Sequence, residues 1–236
     1  MAPLFLEDVV LIDSTSNKPS RISPPKLNVG PDRVYRPKTV EEAEDVRAMA
    51  QRKPDLIKVW IDDNLHTLPE PRPKVVGAAI EEAHKQDLRV AAHLFYQKDA
   101  KWLLADKIDI LGHSIRDEAV SNQTIQAIKR QKVYYIPTLE LEESFFVYED
   151  QPEWMKSEFF KQAADPALLE MLNSDAYRSK VQEDKTTLAH KAEFQMAMKN
   201  LKKLHSADVM VAFGTDSGAT PMRVQGLQSI VNWNPC

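Results

Sequence analysis

Lys58 interrupts the apolar run LIKVW, His93 closes RVAAH, His113 closes IDILGH and Asp216 closes VAFGTD. Each is a titratable or metal-ligating group set into, or just after, a stretch whose other residues belong in a core. A strand of period two puts Lys58 on the face of Leu56 and Trp60, where an ammonium is poorly solvated and burial lowers its pKa. A neutral lysine amine reacts with carbon dioxide to give a carbamate, an anionic bidentate ligand able to bridge metal ions. Neutral imidazoles at His93 and His113 and a carboxylate at Asp216 are nitrogen and oxygen ligands that zinc and similar ions accept. Asp216 also has the chemistry of a general base. Singly, each has a plainer reading: Lys58 at an element end or in an ion pair, the histidines as satisfied core residues, Asp216 as the cap of a following helix. The ordered set at successive strand ends is the more specific signal.

Elements that position such residues are legible around them. Apolar runs predict strands over residues 4–13, 55–62, 88–95, 108–113, 133–139 and 209–216, and helical spacing predicts helices over 39–50, 73–86, 97–107, 122–131 and 188–204. Thr39 and Glu42 stand in capping-box spacing, and Pro73 suits a first helical turn. The segment 14–33, rich in Ser, Pro, Asn and Gly, predicts a loop. Apolar strands without polar alternation, separated by helices, predict an α/β fold with a parallel sheet covered on both faces. In a parallel α/β barrel the C-terminal strand ends converge on one rim, so the four residues would meet there. His66, His84, His190 and His205 fall in loops or helices and read as surface or packing residues. The Met and aromatic residues between 145 and 200 read as helix core.

The 236 residues are 43% hydrophobic and 28% charged, enough for one globular unit with a sizeable core. A formal charge of -4 gives no electrostatic reason to expect nucleic acid or an anionic membrane as partner. The single cysteine, Cys236, forms no intrachain disulfide, which fits a reducing compartment, and a cytoplasmic location is expected. MAPLFLEDVVLID carries Glu7 and Asp8 and no basic leader, so it reads as a strand rather than a signal peptide. No uninterrupted apolar segment approaches the length that spans a bilayer.

DLIKVWIDD, RVAAHLF, IDILGHSI and VAFGTDSGATPMRVQG, in that order with helices between, resemble the metal-dependent amidohydrolase superfamily, in particular its imidazolonepropionase-like and Xaa-Pro-dipeptidase-like branch, from about Val34 to Gly226. The resemblance implies a TIM barrel carrying one or two divalent metals, often zinc, and hydrolysis of an amide or related C–N bond. Lys58 would be the carbamylated bridging lysine, His93 and His113 the two histidines of the second metal, and Asp216 the last-strand ligand and proton shuttle. FLEDVVLID resembles the opening strand of the small β-sandwich that precedes such barrels. The implied substrates are small amides, cyclic ureides or dipeptides.

The expected architecture is therefore a partial TIM barrel with a remnant β-sandwich strand: residues 1–33 as that strand and its linker, 34–236 as the partial barrel, with a helical insertion over 142–206. The family carries a His-X-His pair at the end of its first barrel strand, and this sequence contains none. Lys58, His93 and His113 then leave ligands for one ion rather than two, with carbon dioxide for Lys58. The early barrel strands and the C-terminal part of the family fold are expected to be missing, and an unclosed sheet edge invites homo-oligomers. The alternatives are a catalytically inactive binding or assembly module and a truncated product without function.

Overall fold

The computed structural model describes residues 9–13, 21–22, 37–43, 45–61, 72–216 and 222–224, with side chains from residue 37 onward. Most of the segment 14–33, residues 217–221 of the motif after Asp216, and His66 lie outside them. Two compact units divide the chain: residues 1–136 with 200–212, and residues 137–199 with 213–236.

The first unit is built on a six-stranded sheet in the order β2-β1-β3-β4-β5-β6. Its strands are β1 (Val9–Asp13), β2 (Arg21–Ile22), β3 (Leu56–Trp60), β4 (Arg89–His93), β5 (Ile110–Gly112) and β6 (Tyr134–Ile136). β2 runs antiparallel to β1, and every other pairing is parallel. Val9–Asp13, expected to open a separate sandwich, thus lies in the main sheet beside β3. Arg21–Ile22, expected as loop, is its short antiparallel neighbour. The connecting helices are α1 (Val40–Ala43), α2 (Val46–Ala50), α3 (Pro73–Lys85), α4 (Gln97–Ala105) and α5 (Asn122–Gln131). The single helix expected over 39–50 is therefore two short ones. Its predicted cap forms: Glu42 N donates to Thr39 Oγ1 at 3.2 Å, and Lys38 N donates to Glu42 Oε2 at 2.6 Å.

One local device recurs between helix and strand. Asp87, Lys107, Lys132 and Asp208 each adopt a positive φ, between 56° and 63°. The next residue, Leu88, Ile108, Val133 or Val209, returns its N–H to a helix carbonyl five positions back (Ala83, Leu103, Ile128, Leu204) at 3.0 to 3.1 Å. This is the Schellman arrangement, which satisfies the last helical carbonyls and turns the chain into the sheet. It also places an apolar residue against the core: Ile108, Val133 and Val209 are buried members of the main cluster, with Leu88 packed against it. Ile57, Val59, Val90, Ala92, Leu111 and Tyr135 supply the sheet's contribution to that same core.

The run 209–216 departs from expectation. It makes one parallel bridge, Val211 to Tyr135, and no strand. Tyr135 N donates to Met210 O and Ala212 N to Tyr135 O, both at 2.9 Å. The next donor along β6 would be the N–H of residue 137, which is Pro137 and has none, so the ladder stops.

The second unit is helical: α6 (Glu140–Glu143), two 3-10 turns (Val147–Asp150 and Glu153–Lys156), α7 (Glu158–Ala163), α8 (Pro166–Leu172), α9 (Asp175–Glu183) and most of α10 (Lys185–Ser206), whose residues from Asn200 on belong to the first unit. Closely spaced caps cut this stretch into short helices. Ser157, Asp165 and Ser174 accept from Phe160 N, Ala167 N and Tyr177 N at 3.2, 2.8 and 3.1 Å. Its own core gathers Tyr148, Met155, Phe160, Leu168, Leu172 and Val224.

Candidate functional site

Alternation along the strands assigns the two faces of the sheet. The face opposite the main core carries Leu56, Ala91 and Ile110, which form a small apolar cluster with Ile136 packed on it. In register, Lys58 pairs with Ala91 and Ala91 with Ile110, and one step toward the C-terminal ends Trp60 pairs with His93, His93 with Gly112, and Gly112 with Ile136. Paired residues of a parallel sheet share a face. Lys58, Trp60 and His93 therefore stand together at the C-terminal ends of β3 and β4.

The rings lie in contact. Trp60 stacks on His93 with centroids 3.9 Å apart and planes 11° from parallel, and the His93 and His113 centroids are 4.0 Å apart at 58°. Strict alternation would turn His113, one residue past Gly112, to the opposite face. Its φ of 68° breaks that alternation. Its N–H meanwhile keeps the ladder bond to Ile136 O at 2.9 Å. Both histidines are 6% exposed. Lys58 is half-buried rather than enclosed, and its amine uses the space that Gly112 leaves: a Cβ there would stand 2.8 Å from Lys58 Nζ and 3.1 Å from Ala92 O. In backbone register, β1 pairs Asp13 with Trp60. Sequence reading passed over Asp13, although VVLID ends on an acid as VAFGTD does.

A buried polar network fixes the loop that follows His113. Ile115 N donates to Tyr135 Oη at 2.8 Å, and Arg116 Nη1 donates to the carbonyls of Leu94 and Ser114, each at 3.0 Å. The Arg116 guanidinium lies over the Phe95 ring at 4.3 Å. From α10, Asn200 accepts from Val120 N at 2.8 Å and donates to the carbonyls of Ile115 and Glu118 at 2.9 and 2.8 Å. Burial, partly offset by the bond from Ile115 N, the Ser114 contact and the Arg116 charge, pushes the Tyr135 phenol up to about 12.

Asp216 belongs to the second unit. Its φ is 54°, and Arg223 Nη1 donates to its Oδ2 at 2.5 Å and to its carbonyl at 3.4 Å. The residues that would show whether it caps a helix lie outside those described.

The comparisons with known proteins bear on the fold. A Xaa-Pro dipeptidase with bound methionine in the active site matches at TM-score 0.53 and 17% identity, over 77% of this chain and 39% of that one. The ochratoxinase of A. niger matches at TM-score 0.57 and 17% identity, over 92% of this chain and 47% of that one. An amidohydrolase matches at TM-score 0.52 and 19% identity, over 90% of this chain and 48% of that one. The chain carries part of the amidohydrolase fold. It spans under half the length of each of these three structures. No protein-family model matches the sequence, and no curated protein matches it.

On this fold the rim brings three nitrogen donors together. Two buried imidazoles in contact and a lysine nitrogen admitted by Gly112 form a donor set suited to zinc-like metals. The second unit holds a cluster that sequence reading missed. Glu142, His190 and Glu193 place their ligand atoms within 4.8 Å of one another. His190 Nδ1 lies 3.0 Å from Glu193 Oε2 and 3.4 Å from Glu142 Oε2, and the ring stacks on Phe145 at 3.9 Å. Burial pulls the imidazole pKa down, but the hydrogen bonds and charges of the two carboxylates outweigh it and raise it to about 9. The one available signal was the spacing of His190 and Glu193, three apart on a helix.

Proposed function

We propose that this chain is a metal-dependent hydrolase of C–N bonds in small amides or dipeptides, working at the C-terminal rim of its parallel sheet. The observation that carries the proposal is the meeting of Lys58, His93 and His113 there: buried imidazoles centred 4.0 Å apart, with the lysine amine against Gly112. His93 and His113 would hold one divalent ion, zinc by ligand chemistry, with Lys58 as a third donor. Such an ion supplies Lewis acidity, polarising an amide carbonyl and acidifying water.

The chain's own residues do the rest. Trp60 holds the plane of the His93 ring, and the left-handed backbone at His113 sets the second ring against it. Lys58 in its neutral form adds to carbon dioxide, forming an N–C bond and releasing a proton, which turns a cation into an oxygen donor. Asp216, the last-strand acid of the resemblance, is the proposed proton carrier, and its bond to Arg223 fixes the carboxylate.

Metal per chain, measured on protein purified with zinc and bicarbonate, tests the ligand set. His113→Ala and Lys58→Ala are each expected to lose about one equivalent. Hydrolysis of Xaa-Pro and other dipeptides is expected to vanish in His113→Ala, and in Asp216→Asn with metal retained. Unchanged metal content and turnover in His113→Ala would sink the proposal. A second reading, a binding module without turnover, is favoured by the absence of any His-X-His pair from the sequence. It predicts little or no hydrolysis with any metal.

A further inference from the structure

We propose that Glu142, His190 and Glu193 form a separate cation site within the second unit, taking a zinc-like divalent ion. The three residues come from two elements: His190 and Glu193 lie one turn apart on α10, and Glu142 comes from α6. All are largely enclosed, with side chains 18%, 12% and 5% exposed respectively. Two carboxylates largely withdrawn from water face one nitrogen, an arrangement that a positive charge among them stabilises.

Geometry favours an ion in that role. His190 Nδ1 faces both carboxylates, at 3.0 and 3.4 Å. It carries one hydrogen at most, which aligns well with one acceptor at a time. A cation accepts electron pairs from the nitrogen and both oxygens together. The neighbouring ammonium, Lys191, is engaged with Glu149 at 2.9 Å. Phe145, stacked at 3.9 Å and 8°, fixes the ring plane and so the direction of the nitrogen lone pair. One imidazole with two carboxylates suits zinc, cobalt or manganese better than calcium or magnesium, which take all-oxygen sets. Three protein donors leave further positions for water or a ligand.

The rim and this cluster are separable by mutation. In the full-length His93→Ala/His113→Ala protein, stripped with chelator, cobalt(II) chloride is titrated and followed by calorimetry and by its visible absorption. About one equivalent is expected to bind, with tetrahedral or five-coordinate absorption and a raised Tm. Adding Glu193→Gln, which keeps the side chain's shape, is expected to weaken binding at least tenfold and remove the Tm shift. His190→Ala should abolish both. Absence of cobalt binding in the rim-deficient protein while it still unfolds cooperatively would overturn the proposal, leaving a protonated histidine bridging two carboxylates. Binding that Glu193→Gln does not change would also overturn it. Neither result depends on whether the rim hydrolyses anything.

Discussion

A methyl group at position 112 would meet Lys58 Nζ at 2.8 Å and Ala92 O at 3.1 Å. The carbonyl is fixed in the sheet, so the flexible lysine end must give way. Gly112→Ala is therefore expected to lower metal affinity at the rim at least tenfold while costing less than about 2 kcal/mol of stability. Metal titration beside a denaturation curve checks both, and unaltered affinity would detach Lys58 from the site. This residue scale is where sequence reading went furthest. Polar groups placed in apolar strands are costly, so Lys58, His93 and His113 stand out in the sequence. His190 did not, because a histidine and a glutamate three apart on a helix resemble an ordinary surface pair, and Glu142 lies far away in sequence. Nor did the Arg223 partner of Asp216 show, since nothing in GTDSGATPMR marks an ion pair seven residues long in span.

Among the elements, the helix-to-strand turns carry a testable cost. Lys107 holds φ 63° on an exposed Schellman turn, a conformation that disfavours any residue with a Cβ. Lys107→Gly is expected to stabilise the chain by about 0.5–1 kcal/mol, net of glycine's greater freedom when unfolded, with a Tm rise of about 2 °C by calorimetry. β6 predicts a pH dependence. Tyr135 is held near 12 by burial, above the ordinary phenol value of 10.0. The folded state thus retains this proton more tightly than the unfolded chain. The associated stability is intact below about pH 10 and is lost as pH rises toward about 12. Tyr135→Phe should flatten that alkaline decline in urea midpoints. It should also cost about 1–3 kcal/mol at neutral pH, because Ile115 N loses its acceptor. Strand positions were legible from apolar runs, but pairing was not. The 209–216 run looks like its neighbours and fails to extend because the adjoining backbone offers Pro137, a property of the partner rather than of the run itself.

For the whole molecule, the sequence pattern predicted parallel α/β architecture, and the three solved structures match over 77–92% of this chain. A helical insertion over 142–206 was read from the sequence, and the second unit takes in residues 137–199; that the chain after Ala212 groups with that unit was not legible from composition. No helix among the described residues is long and apolar enough to cross a membrane. A formal charge of -4 and a pI near 5.9 leave little electrostatic repulsion under mildly acidic conditions. Exposed Leu188 and Phe213, 73% and 63% accessible, then supply adhesive surface. Light scattering is expected to peak near pH 5.9, and a flat profile from pH 5 to 8 would count against this account.

The flat contact between Trp60 and His93 gives the rim an optical reporter of its own. A divalent ion on that imidazole brings positive charge beside the indole face, which shifts its excited-state energy and emission. Zinc addition should therefore change tryptophan fluorescence in the native protein and leave Trp60→Phe unchanged. Occupancy of the site can then be followed in real time, without any substrate having been identified.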